Sequence, residues 1–135
     1  LFLILIQILF IMKTLIISLL MVLPMMGLAQ DLPSKNQQSN VEVNGNCKMC
    51  KSRIEKAALD VDGVKYAIWD IPSGDLKLIY NAREIHIDSI QAAIAASGHD
   101  TGDFKAESAV YEALPMCCQY VREGETAKPG QMTKH

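Results

Sequence analysis

The apolar positions of this chain fall into two regimes. Over residues 1–30 they run almost without interruption, and Lys13 is the one charge in that stretch. From Asp31 onward polar residues separate them, at intervals that change along the chain. Val41 and Val43 alternate with Glu42 and Asn44, the period of a half-buried strand that stops at Gly45. Cys50, Ile54, Ala57, Ala58 and Val61 then recur at helical spacing, while Lys48, Lys51, Arg53 and Lys56 occupy other faces. Gly63 marks the exit of that helix. Residues 64–69 alternate as a strand, Pro72, Ser73 and Gly74 read as a turn, and residues 76–80 return as the second arm of a hairpin. Asp88 with Gln91 resembles a capping box, after which Ile90, Ala93, Ile94 and Ser97 form one face of a second helix that Gly98 stops. A last short strand is expected over 102–106, with Phe104 as its main apolar residue.

The order is strand, helix, strand, strand, helix, strand over residues 40–106. That predicts an α+β fold, the ferredoxin-like βαββαβ sandwich, with two helices on one face of a four-stranded antiparallel sheet. A core of Val, Ile, Leu and Ala from so short a segment predicts marginal stability. Residues 30–39, rich in Gln, Asn, Ser and Pro, read as a flexible tether. Residues 107–135 read as a C-terminal extension: a helical turn over 109–114, Pro115 to interrupt it, the pair Cys117-Cys118, and a disordered tail over 123–135.

The apolar start admits two readings, an uncleaved membrane anchor running from Leu1 or a cleaved export signal whose initiator is Met12. The second is preferred. Met12, Lys13 and Thr14 make a short basic start, Pro24 disrupts the apolar run, and the small residues Gly27 and Ala29 mark cleavage after Ala29. Residues 1–11 are then upstream sequence. Either reading puts the polar part outside the cytoplasm, in the periplasm or otherwise exported, and attached to the membrane only if the leader is retained. The 135 residues carry a formal net charge of −2, and since the leader's one charge is positive the remainder is more acidic still. Nucleic-acid binding by phosphate neutralisation therefore has no support.

Four cysteines stand as two close pairs, Cys47 with Cys50 and Cys117 with Cys118. Residues three apart at a helix start lie on one side, so Cys47 and Cys50 can aim both sulfurs at one point. The helix N-terminus, Lys48 and Lys51 favour thiolates there. Soft thiolates select Cu(I) and similar thiophilic ions over Mg²⁺ or Ca²⁺. Two ligands leave a coordination position open for a partner, whereas a structural zinc site closes with four. A local disulfide and a thiol-disulfide redox pair are the rival readings of the same motif.

The run Val43-Asn44-Gly45-Asn46-Cys47-Lys48-Met49-Cys50-Lys51-Ser52-Arg53-Ile54-Glu55 resembles the metal loop and first helix of heavy-metal-associated (HMA) domains, the family of copper chaperones and periplasmic mercury-binding proteins. The resemblance spans about residues 40–106. It implies the βαββαβ fold, Cu(I) or Hg(II) held by Cys47 and Cys50, and delivery by ligand exchange to a membrane transporter or P-type ATPase. The family's usual loop is Gly-Met-Thr-Cys-x-x-Cys. Here Asn46 precedes Cys47, Gly45 stands one place closer, and no Met buttresses the loop from beneath; the Gly-Asn-Cys-x-Met-Cys form resembles a variant of exported proteins of Bacteroidetes-type bacteria. In this topology the loop after the second helix emerges at the same end as the metal loop, so His99 is expected to face Cys47 and Cys50. HMA domains often place a Lys, Tyr or His there that adjusts charge or access at the metal.

Met49 offers a thioether between the cysteines, with an apolar anchor for the loop as its plainer role. Cys117 and Cys118 offer a second soft-metal site, a tail folded over Cys47 and Cys50, or disulfides. No paired carboxylates, nucleophile with base or phosphate-binding Gly loop surround the motif, so the reading is a non-enzyme. It is an exported heavy-metal-binding protein that passes on or sequesters an ion, Cu(I) first and Hg(II) or Zn(II) next. Its expected partners are a membrane metal transporter, a P-type ATPase or another metal-binding domain. A small periplasmic thiol-disulfide oxidoreductase and a metal-free, disulfide-stabilised interaction module are the alternatives.

Overall fold

The computed structural model describes residues 1–22, 32–129 and 131, with side chains in the first helix through Ser18. The chain divides into two units, Leu1–Leu32 and Pro33–His135. The first is helix α1, Phe2–Val22, which passes through Met12 without a break and exposes every side chain described. Among the described residues no helix is long and apolar enough to cross a membrane. The cleavage point expected after Ala29 lies outside the described residues.

The second unit is an α+β sandwich. Strands β1 (Gln37–Glu42), β2 (Val64–Trp69) and β3 (Asp75–Tyr80) form an antiparallel sheet in the order β1-β3-β2. Val41 stands opposite Leu76 and Ala67 opposite Leu78. The period-two pattern therefore puts Val41, Ala67, Trp69, Leu76, Leu78 and Tyr80 on one buried face. Helices α2 (Lys48–Leu59) and α3 (Ile87–Ala96) cover it with Cys50, Ile54, Ala58, Ile90 and Ile94. Tyr66 projects from β2 to solvent, whereas Trp69 is fully buried.

Several expectations need correction. β1 begins at Gln37, inside the segment read as a tether. Its polar first half is held by pairing with residues 77–80 of β3, and a backbone ladder does not require apolar side chains. The fourth strand expected over 102–106 does not form. Only Thr101 bridges Val43, antiparallel and on the far side of β1 from β3, where a fourth strand would lie. The chain then leaves the sheet, because Thr101 N–H donates to Phe104 O (2.8 Å) and Phe104 N–H to Thr101 Oγ1 (3.0 Å). Asp100 Oδ1 takes the Ala106 N–H at 2.7 Å, so side chains supply partners that a ladder would otherwise provide. The expected capping box also fails. α3 starts one residue before Asp88, His86 is its N-cap, and Gln91 turns to Asp103 at 3.0 Å.

The C-terminal extension belongs to the same core. Helix α4 (Ser108–Glu112) is followed by a 3₁₀ turn, Met116–Cys118, and Tyr111, Leu114, Cys118 and Tyr120 are buried among the sheet and helix residues. In the tail, Gln131 donates to Tyr111 Oη at 3.0 Å; residues 130 and 132–135 lie outside the described residues.

Gly98 joins the two parts. Its φ of +99° suits only glycine, and a Cβ there would lie 2.9 Å from Leu114 Cδ2. Gly98→Ala should therefore lower unfolding free energy by about 1–3 kcal/mol, measured by urea denaturation, and should perturb the Leu114 segment first in hydrogen exchange.

Candidate metal centre

Cys47 is the N-cap of α2, in extended conformation, and Cys50 lies one turn on, fully buried on the helix's inner face. No side chain caps this helix start. The cysteines thus stand at the positive end of the α2 dipole, where a thiolate is favoured. Beneath the loop lies Trp69, whose Nε1–H donates to Val43 O (3.2 Å) and Gly74 O (3.0 Å). Gly45 packs onto it. A Cβ at Gly45 would come 3.0 Å from both Cys50 Cβ and the Trp69 ring, so a side chain here would press on both and make them give way. The buttress that the loop lacks from methionine comes from tryptophan.

Cys47 Sγ lies 3.4 Å from Cys50 Sγ and 4.0 Å from Cys118 Sγ, and the three sulfurs are all within 4.8 Å of one another. All four cysteines are free thiols. Cys118 therefore joins the first pair instead of building a separate site with Cys117, and it is fully buried. Cys117 is only part-buried; its sulfur lies 4.0 Å from that of Cys118 and outside the group of three.

The protonation pattern follows from burial and hydrogen bonding. At Cys47 burial acts upward but is outweighed by the backbone N–H and thiol of Cys50, the Met49 N–H and the Cys118 thiol, leaving its pKa below the ordinary thiol value. Burial pushes the Cys50 thiol up, against the Asn46 N–H that donates to its sulfur at 3.4 Å. Burial, and then the sulfurs of Cys50 and Cys47, push the Cys118 thiol up much further. One part-exposed thiolate flanked by two thiols is the arrangement these shifts favour.

Other candidates fall elsewhere. Met49 is 48% exposed and does not anchor the loop. Lys51 donates to Glu55 Oε1 at 2.6 Å and to the Trp69 carbonyl, so its charge is spent locally, while Lys48 and Arg53 stay exposed. His99 is not among the grouped ligands. It is fully buried, stacked on Tyr120 with ring centroids 6.2 Å apart; Nδ1 lies 3.4 Å from Ser97 Oγ, and Nε2 has no hydrogen-bond partner among the described residues. Its pKa is lowered to about 4 by burial first and by the Arg53 charge second. A neutral core histidine costs stability once the unfolded chain protonates. Unfolding free energy should hold above pH 6.5 and fall towards pH 4 with a slope from His99 of at most about 1.4 kcal/mol per unit. His99→Gln should flatten that slope in a pH series of urea melts.

No sequence signal marked Asp100, Tyr120 or Arg122, which hold the Cys118 segment. Asp100 N–H donates to Tyr120 Oη at 2.7 Å, and its carboxylate takes both Nε and Nη2 of Arg122, at 3.0 and 2.8 Å. They have no shared period, and their partners lie about twenty residues away.

No protein-family model matches the chain, and no curated protein matches it as a relative. Among solved structures, a CopZ metallochaperone is 29% identical over 48% of this chain and 98% of its own, with a TM-score of 0.47. The N-terminal domain of a potential copper-translocating P-type ATPase from Bacillus subtilis, in its Cu(I)-loaded state, is 22% identical over 49% of this chain and 84% of its own (TM-score 0.47). Oxidised MerP from Ralstonia metallidurans CH34 is 19% identical over 50% and 94% (TM-score 0.48). This chain is similar to each of these over about half its length.

Proposed function

We propose that this protein binds one soft metal ion through Cys47 and Cys50 and carries or sequesters it outside the cytoplasm, as a binding protein and not a catalyst. The observation that carries the reading is the pair of sulfurs 3.4 Å apart at an uncapped helix start, one part-exposed and one buried. An all-sulfur donor set favours Cu(I), with Hg(II) and Zn(II) as further cargo, and disfavours hard cations. The apolar leader supports export.

The part-exposed Cys47 sulfur meets the incoming ion first, and Cys50 then releases its proton to solvent as it joins. Transfer proceeds by ligand exchange with a thiolate of a partner, a membrane metal transporter, a P-type ATPase or another metal-binding domain. Lys48 and Arg53 steer that partner's acidic surface, an attraction that weakens with salt.

Anaerobic Cu(I) titration against a competing chelator tests the reading. Cys47→Ser/Cys50→Ser should lose about a hundredfold or more in affinity, and a double variant that binds like wild type would exclude this site. The affinity should rise with pH by up to about tenfold per unit for each thiol proton displaced, because the buried thiols start protonated. Disulfide-substrate turnover insensitive to chelation would favour the redox alternative instead.

A further inference from the structure

We propose that Cys118 is a third ligand to the same ion, so that the chain completes a three-thiolate site by itself and retains its cargo. This rests on the metal-binding reading but goes beyond the C-x-x-C pair. A metal–thiolate bond of about 2.3 Å puts the sulfurs of a linear two-coordinate site about 4.6 Å apart, and those of a trigonal site about 4.0 Å apart. Cys47 and Cys50, at 3.4 Å, are far from the linear spacing, whereas Cys47 and Cys118, at 4.0 Å, already match the trigonal one. The third side of the triangle, Cys50 to Cys118, is within 4.8 Å. Small side-chain rotations bring three sulfurs around one ion.

The second support is the way residue 118 is held. Cys118 N–H donates to Pro115 O at 2.7 Å, and Gln119 Nε2 to Leu114 O at 3.0 Å. Tyr111 Oη donates to the Tyr120 carbonyl, and Arg122 lies over the Tyr111 ring at 4.4 Å while gripping Asp100. A tail that met the loop by chance would not carry this set of buried anchors. The Cys118 sulfur is therefore placed before the ion arrives, and on binding it exchanges its proton, released to solvent, for the metal bond. The coordination position that a two-ligand site leaves to a partner is then filled from within, and release requires Cys118 to detach or a fourth sulfur to enter.

X-ray absorption at the metal edge, on full-length protein loaded anaerobically with one equivalent of Cu(I) or Hg(II) and no added thiol, counts the sulfur neighbours. Wild type and Cys117→Ser should show three, and Cys118→Ser two. Cys118→Ser should also lose about tenfold or more in Cu(I) affinity and surrender the ion to chelator correspondingly faster. Because residue 118 is buried, its fold is checked by circular dichroism. Arg122→Gln, which loosens the segment without touching a sulfur, supplies an independent variant and should likewise speed release. Two sulfurs in wild type, or three persisting in Cys118→Ser, would overturn the third ligand while leaving the Cys47–Cys50 site intact. Metal binding left unchanged by Cys47→Ser/Cys50→Ser would instead remove the underlying reading.

Discussion

Asp100 is the residue through which the Cys47–Cys50 loop and the C-terminal segment are tied together. Its carbonyl accepts the Asn44 N–H at 2.8 Å, three residues before Cys47, and its own N–H donates to Tyr120. Its carboxylate holds Ala106 and Arg122. The Arg122 and Asp100 side chains are 12% and 6% exposed, so the pair is largely dry. A buried pair of this kind adds modest net stability, yet losing one partner costs about 3–5 kcal/mol because the other charge is stranded. The consequence is geometric: this junction helps to hold the segment that carries Cys118 where its sulfur lies 4.0 Å from that of Cys47.

Packing and acid–base chemistry then work together at the loop. Trp69 fills the space under Gly45 and Cys50, fixing the depth at which Cys50 is buried. That burial raises the Cys50 thiol, at Cys118 burial is joined by the neighbouring sulfurs of Cys50, Cys47 and Cys117 in pushing the thiol up, and hydrogen bonds converging on Cys47 hold its pKa below the ordinary thiol value. A graded set of sulfurs results, with the most acidic one nearest solvent.

A small sheet covered by two helices buries little apolar surface, and domains of this size are correspondingly marginal. Tyr111, Leu114, Cys118 and Tyr120 enlarge that core from beyond residues 40–106, the span expected to make the βαββαβ domain. The extension is therefore structural before it is chemical. Removing it would uncover the end of α3 at Gly98 as well as take away a sulfur.

Much of this was legible along the chain, because it depends on neighbours in sequence. Period-two and helical spacing located β2, β3, α2 and α3, and the three-residue interval put Cys47 and Cys50 on one side of a helix start. Local pattern misled where long-range pairing decided: Gln37 to Asn40 are polar yet form a strand against β3, and 102–106 alternates yet turns away from the sheet after Thr101. The capping box failed because α3 begins at Ile87 with His86 as its N-cap, a boundary shift of two residues that turns Gln91 from cap to core. His99 was expected at the metal loop's end of the fold, but only tertiary packing put its ring inside against Tyr120. Composition and spacing determined that this chain has a pair of soft sulfur ligands at a helix start. That a third sulfur, 71 residues from Cys47, completes the group was decided by the Asp100 junction and the packing of Leu114 and Tyr120, since side-chain burial and non-local hydrogen bonds leave no periodic trace in a sequence.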